Sequence, residues 1–88
     1  MIEQEVKIVN RAGLHTRPAA SLVKLAARFK SEVSLIRDGF AINAKSIIGV
    51  MTLAAEKGSR LILQVDGDDE ETAIKEISNL FNSGFGED

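Results

Sequence analysis

Cysteine, tryptophan and tyrosine are absent from this chain of 88 residues, which carries one proline and one histidine. Without cysteine there is no disulfide framework, no thiolate metal site and no cysteine nucleophile, and the default compartment is the cytoplasm. A single histidine with only scattered carboxylates makes no spaced ligand set, so neither a metal nor a cofactor is expected. The aromatic complement is four phenylalanines, which leaves little for stacking on bases and argues against nucleic acid as a partner. Long apolar runs are missing too. The longest uncharged, mainly apolar stretch is residues 47–55, far short of the ~20 residues that cross a bilayer. The opening Met1-Ile2-Glu3-Gln4-Glu5 turns acidic at once, unlike a secretory signal. No direct membrane insertion is expected.

What is present reads as one small globular domain over residues 1–88. Apolar residues make up 44% and charged residues 27%, which excludes a disordered tail. A chain of this size buries about 60–65% of its unfolded surface and has no room for a second core. The net charge of −2 hides an asymmetry: residues 1–60 hold ten Lys/Arg against five Asp/Glu, and residues 61–88 hold one against eight. A local basic face that meets an acidic protein or holds a phosphate fits this pattern; plain solvation of the surface is the alternative.

Residues 2–9 alternate, with Ile2, Val6 and Ile8 on one side and Glu3, Glu5 and Lys7 on the other, a strand with one wet face. Asn10-Arg11-Ala12-Gly13 breaks it. Pro18 suits the first turn of a helix, and Ala19, Leu22, Val23, Ala26 and Phe29 follow at helical spacing. Val33, Leu35, Phe40 and Ile42 flank Asp38-Gly39 in a hairpin over 33–43. Ser46 can cap a second helix from about 47 to 56, closed by Lys57-Gly58. Residues 60–66 form a strand with Leu61, Leu63 and Val65 inward. Asp68 and Glu71 have capping-box spacing before a last helix whose buried stripe is Ala73, Ile74, Ile77, Leu80 and Phe81, with Ser83-Gly84 at its end. The order β-α-β-β-α-β-α predicts an α+β fold, one four-stranded sheet with helices on a single face.

The only histidine, His15, stands at the mouth of the first helix, followed by Thr16, Arg17 and Pro18. The first amides of a helix lack internal acceptors and the dipole is positive there, so an anion beside His15 would meet free N–H donors and a guanidinium. A neutral imidazole nitrogen is a competent nucleophile. Together these can form a transient phosphohistidine. On spacing alone, a solvent-exposed or capping histidine with no such role is the commoner case.

Two segments then carry a resemblance. Gly13-Leu14-His15-Thr16-Arg17-Pro18-Ala19-Ala20 resembles the active-site signature of the HPr family, the histidine phosphocarriers of the bacterial phosphoenolpyruvate:sugar phosphotransferase system. Asn43-Ala44-Lys45-Ser46-Ile47-Ile48-Gly49-Val50-Met51-Thr52-Leu53 resembles the family's second signature, around its regulatory serine. Length, element order and the separation of the segments agree, so the resemblance covers essentially the whole chain.

The resemblance implies an open-faced sandwich whose antiparallel sheet has strand order 1-4-2-3 under three helices. It implies that His15 Nδ1 accepts a phosphoryl group from phosphorylated enzyme I and passes it to an enzyme IIA domain of a sugar-specific permease. Arg17 would then stabilise the phosphate charge and the helix start at Thr16, Arg17 and Pro18 would hold its oxygens. Such a protein is a carrier, not an enzyme turning over alone. A carrier must show one site to successive partners, so a monomer is expected.

Ser46 has a plain reading as an N-cap. The resemblance adds phosphorylation by an ATP-dependent HPr kinase/phosphorylase; Gly49 and Met51 match members regulated in this way, and Ile48 departs from their usual methionine. In the helix after Ser46, Val50 and Leu53 share one face while Ile47 and Met51 share another. Both cannot be buried against one sheet, and an exposed apolar face usually meets a partner. With the family's docking surface this gives Arg17, Ala20, Lys24, Lys45, Ile47, Ile48 and Met51 as docking residues. Three other functions remain open at this point. One is a nitrogen-branch paralogue. Another is a small acyl-phosphate hydrolase, for which no Asn or acid pair stands out near His15. The third is a ligand-binding module in which His15 is dispensable.

Overall fold

The computed structural model describes residues 1–87. Its elements are β1 (Ile2–Lys7), α1 (Thr16–Ala26), β2 (Glu32–Arg37), β3 (Phe40–Asn43), α2 (Ile47–Thr52), β4 (Arg60–Asp66) and α3 (Glu70–Asn82), followed by a 3-10 turn, Gly84–Gly86. The strands pair in the order β1-β4-β2-β3, as the family resemblance implied, and every pairing is antiparallel. β1 and β2 are both antiparallel to β4, which lies between them, and α1 makes the crossover. The register sets Val65 opposite Ile2 and Val33, and Leu63 opposite Leu35. One face of the sheet is therefore a continuous apolar layer. The helices cover it: Leu22 and Ala26 of α1, Val50 of α2, and Ala73, Ile77 and Phe81 of α3 are buried in the same core as Val6, Leu35, Leu61 and Leu63. Asp38 and Gly39 both have positive φ, as a two-residue hairpin turn requires.

The departures from the sequence expectation have local causes. β1 ends at Lys7, yet Ile8 stays buried and exchanges backbone hydrogen bonds with Gly58 and Ser59. α2 ends at Thr52 rather than near Glu56. Ala54 adopts φ 48° and turns the chain, so that the Ala55 carbonyl accepts from Leu14 N–H at 2.8 Å. Lys57-Gly58 thus lies in the next turn and not at the helix end. At α3 the cap is Asp69, not Asp68. Its carboxylate turns away to accept from Lys30 N–H at 2.8 Å, from Ser31 N–H at 3.0 Å and from the Ser31 hydroxyl. Glu70 reaches back to Gly67 N–H at 3.1 Å, a task the spacing had given to Glu71. Among the expected stripe of α3, Leu80 is only half-buried, and Ser78 is buried in addition. Phe40 projects from the hairpin end and is exposed, whereas Ile42 is buried. Among the described residues no helix is long and apolar enough to cross a membrane.

Candidate functional site

The loop before α1 is built to present His15. Gly13 has φ 72°, and a Cβ there would lie 2.5 Å from the Ala55 carbonyl oxygen; only glycine fits so close a backbone approach. Leu14 is buried and ties the loop to residue 55. Asn10 is buried as well, and its Nδ2 donates to the Gly13 carbonyl at 2.8 Å. With both neighbours pinned, His15 becomes the N-cap of α1, in extended conformation, its carbonyl accepting the first helical hydrogen bond from Ala19 N–H at 3.0 Å. The imidazole makes no capping bond and is 41% exposed.

The side chains around the ring define what it can do. Nε2 lies 3.0 Å from Glu87 Oε1; in the neutral ring this nitrogen donates and the carboxylate accepts. Among the described residues Nδ1 has no hydrogen-bond partner, so in this tautomer its lone pair is uncommitted. Thr16 and Arg17 are exposed there, and their amides are first-turn donors without intrahelical acceptors. Pro18 is buried and contributes a fixed φ, not a donor. The Glu87 carboxyl is held below its usual range first by the hydrogen bond to the His15 ring; burial opposes this as the next largest effect, and the ring's charge, Asn10 and the Arg17 guanidinium add to the lowering. Arg17 and Glu87 also line a cleft of ≈460 Å³ with Ser21, Phe85 and Gly86. A free imidazole nitrogen, unpaired amides and a guanidinium at one helix mouth suit an anion covalently held for a short time.

The second segment sits elsewhere. Gly13 and Leu14 meet Ala55 just past the end of α2, while Lys45, just before its start, donates from Nζ to the Phe29 carbonyl past the end of α1 at 2.7 Å. The two helices therefore run side by side in opposite senses, with Ser46 and His15 toward opposite ends of the pair. Ser46 Oγ accepts from Gly49 N–H at 3.2 Å, the N-cap expected of it. Val50 and Leu53 are buried, whereas Ile47, Ile48 and Met51 are exposed; the expected division of the helix faces holds. Ala20 and Lys24 are exposed on α1. Lys45 is half-buried with its ammonium committed to Phe29, so it is less available than the other basic residues.

Three residues of the site escaped sequence reasoning. Asn10 looked like part of a chain break, Glu87 like one of many acids in an acidic C-terminal third, and Phe85 belongs to a turn that the helical stripe did not foresee. The expectation that no Asn or acid pair stands out near His15 is corrected for the Asn: Asn10 is there, with a single acid, Glu87, in place of a pair. Asn10 Nδ2 is engaged by Gly13 and Glu87, and Glu87 Oε1 is engaged by His15 Nε2 and Asn10.

Comparison with known proteins agrees along the whole chain. The family model PTS-HPr, described as the PTS HPr component phosphorylation site, matches residues 2–83. The phosphocarrier protein HPr of Treponema pallidum is 49% identical over 88 residues, 100% of either chain. The solved structure of HPr-C-His from Thermoanaerobacter tengcongensis has a TM-score of 0.96 at 44% identity, covering 100% of this chain and 99% of that one. A structure described as an HPr dimer from the same organism has a TM-score of 0.76 at 43% identity, covering 99% and 100%.

Proposed function

This chain belongs to the HPr family, the phosphocarriers of the phosphotransferase system, and from that premise we propose that His15 Nδ1 accepts a phosphoryl group from phosphorylated enzyme I and yields it to an enzyme IIA domain. The observation that carries this reading is the free Nδ1 of His15 at the open mouth of α1, beside Arg17. Nδ1 attacks phosphorus in line with the leaving group. The Thr16 and Arg17 amides and the Arg17 guanidinium take up the charge on the equatorial oxygens, where positioning and electrostatics supply most of the rate. The chain is a carrier and not an independent enzyme: it turns over a phosphoryl group only with its two partners. It works in the cytoplasm as a monomer.

Arg17, Ala20, Lys24, Ile47, Ile48 and Met51 form the surface on which both partners dock in turn, with Lys45 at its edge. Phosphorylation of Ser46 by an HPr kinase/phosphorylase would add charge at the end of that surface away from His15. Its effect would fall on docking, not on the histidine.

Intact-protein mass spectrometry after incubation with phosphoenolpyruvate and enzyme I is the decisive test. The expected result is the gain of one acid-labile phosphate, absent in His15→Ala. No gain with a folded protein and an active enzyme I would refute the assignment.

A further inference from the structure

We propose that Glu87 is a positioning residue for phosphoryl transfer: it fixes His15 as the Nε2–H tautomer and so keeps the Nδ1 lone pair turned to the incoming phosphorus. This inference rests on the phosphocarrier reading and deepens it. An imidazole protonated on Nδ1 has no lone pair there to attack with, so whatever holds the proton on the other nitrogen selects the reactive form. Glu87 Oε1 is the acceptor 3.0 Å from Nε2. The carboxylate is itself held, for Asn10 Nδ2 donates to the same oxygen at 3.2 Å and to the Gly13 carbonyl of the histidine loop at 2.8 Å.

The tail delivers Glu87 to this point. After α3 the chain turns through Gly84 and Phe85, both at positive φ, and Phe85 is buried edge-on against Phe81 with ring centroids 4.9 Å apart. A non-glycine residue in the left-handed region is strained, and burial of its ring offsets that strain. Phe85 is thus an anchor two residues before Glu87. The lowered titration of the Glu87 carboxyl, caused first by its bond to the His15 ring, fits a carboxylate charged throughout the neutral range.

The step balances without a proton moving. The Nδ1 lone pair forms the bond to phosphorus, the bond from phosphorus to the donor breaks, and its electron pair leaves with the donor. The ring becomes a phosphoimidazolium whose Nε2–H still points at the Glu87 anion. On transfer to the acceptor the P–Nδ1 pair returns to Nδ1, and the neutral Nε2–H tautomer is restored. Glu87 gives and takes no proton, and its charge lies on the edge of the ring away from the phosphoryl group.

The test compares the wild type with Glu87→Ala and Glu87→Gln. Nitrogen NMR of the His15 ring, recorded on the neutral form, reads the tautomer without any donor present; rapid-quench phosphorylation by enzyme I and phosphoenolpyruvate reads the transfer rate. The expected result is a wild-type ring protonated on Nε2, a shift toward the Nδ1–H form in Glu87→Ala, and a loss of about twofold in the second-order transfer rate, the effect of an even tautomer mix. Glu87→Gln, whose amide oxygen still accepts from Nε2, should recover most of both. A tautomer unchanged in Glu87→Ala overturns the proposal, even if the rate falls, since the loss would then come from docking. If wild type takes up no phosphate at all, the carrier reading fails with the transfer role, while the nitrogen spectra still decide whether Glu87 sets the ring.

Discussion

At the scale of single residues, the His15 site is assembled from backbone constraints that the neighbouring segment imposes. Gly13 must approach the Ala55 carbonyl, and the chain around Ala55 must therefore turn where it does. Ala54 makes that turn at φ 48° without being glycine. A Cβ in the left-handed region costs about 1–2 kcal/mol, part of which glycine would return as lost chain entropy in the unfolded state. Ala54→Gly is therefore expected to stabilise the protein by about 0.5–1 kcal/mol, measured by urea unfolding. A neutral or negative result would mean that the methyl group, although exposed, contributes packing that offsets the strain. The same position explains why the end of α2 was illegible in the sequence. Residues 50–56 read as uninterrupted helix, and what stops them is the distant Gly13-Leu14 loop docking on residue 55. His15, Arg17 and Pro18 were legible because their chemistry follows from proximity in the chain. Glu87 was not, because 72 residues separate it from His15 and only the Phe85 anchor brings the two together.

At the scale of elements, α3 is fastened to the rest of the fold by its own cap. Asp69 spends both carboxylate oxygens on Lys30 and Ser31, in the turn that leads from α1 into β2. These bonds hold its pKa down, from the ordinary 3.8 to about 2, with the Ser31 hydroxyl first among the causes. The sign follows from linkage: a carboxyl whose pKa is lower in the folded state contributes stability that is complete above its unfolded pKa and is lost as pH falls through the folded one. Asp69→Asn should thus be less stable than wild type at neutral pH, and the gap should close between about pH 4 and about pH 2. Urea unfolding of both proteins at pH 7, 4 and 3 would show it. Because Glu70 and Glu87 are also shifted downward, the comparison must be made as a difference between the two proteins. A gap that is constant with pH would remove Asp69 as the titrating clasp. The strands, by contrast, were legible almost to the residue: alternation in 60–66 and the Asp38-Gly39 turn state their own geometry, whereas a side-chain clasp between α3 and the α1–β2 turn leaves no local pattern.

At the scale of the whole molecule, the charge asymmetry of the sequence becomes a division of labour. The acidic C-terminal third is spent in part on the fold's own contacts, with Asp69 on the α1–β2 turn and Glu87 on His15. The basic first two-thirds leave Arg17 and Lys24 exposed on α1, and the neighbouring α2 exposes Ile47, Ile48 and Met51. Of the latter Ile48 is the most exposed, at 75%. An apolar centre rimmed by cations suits an acidic partner, with the rim setting the rate of encounter and the centre the lifetime of the complex. Ile48→Asp should leave the fold intact, since so exposed a side chain contributes within about 0.5 kcal/mol of stability. It should weaken enzyme I binding about tenfold, the worth of one buried aliphatic anchor. Lys24→Glu should act differently, lowering the association rate at low salt and losing most of that effect by 0.5 M salt, where the Debye length is only about 4 Å. Stopped-flow association at two ionic strengths separates the two. Equal salt sensitivity of both variants would mean that charge alone, without an apolar centre, holds the partner.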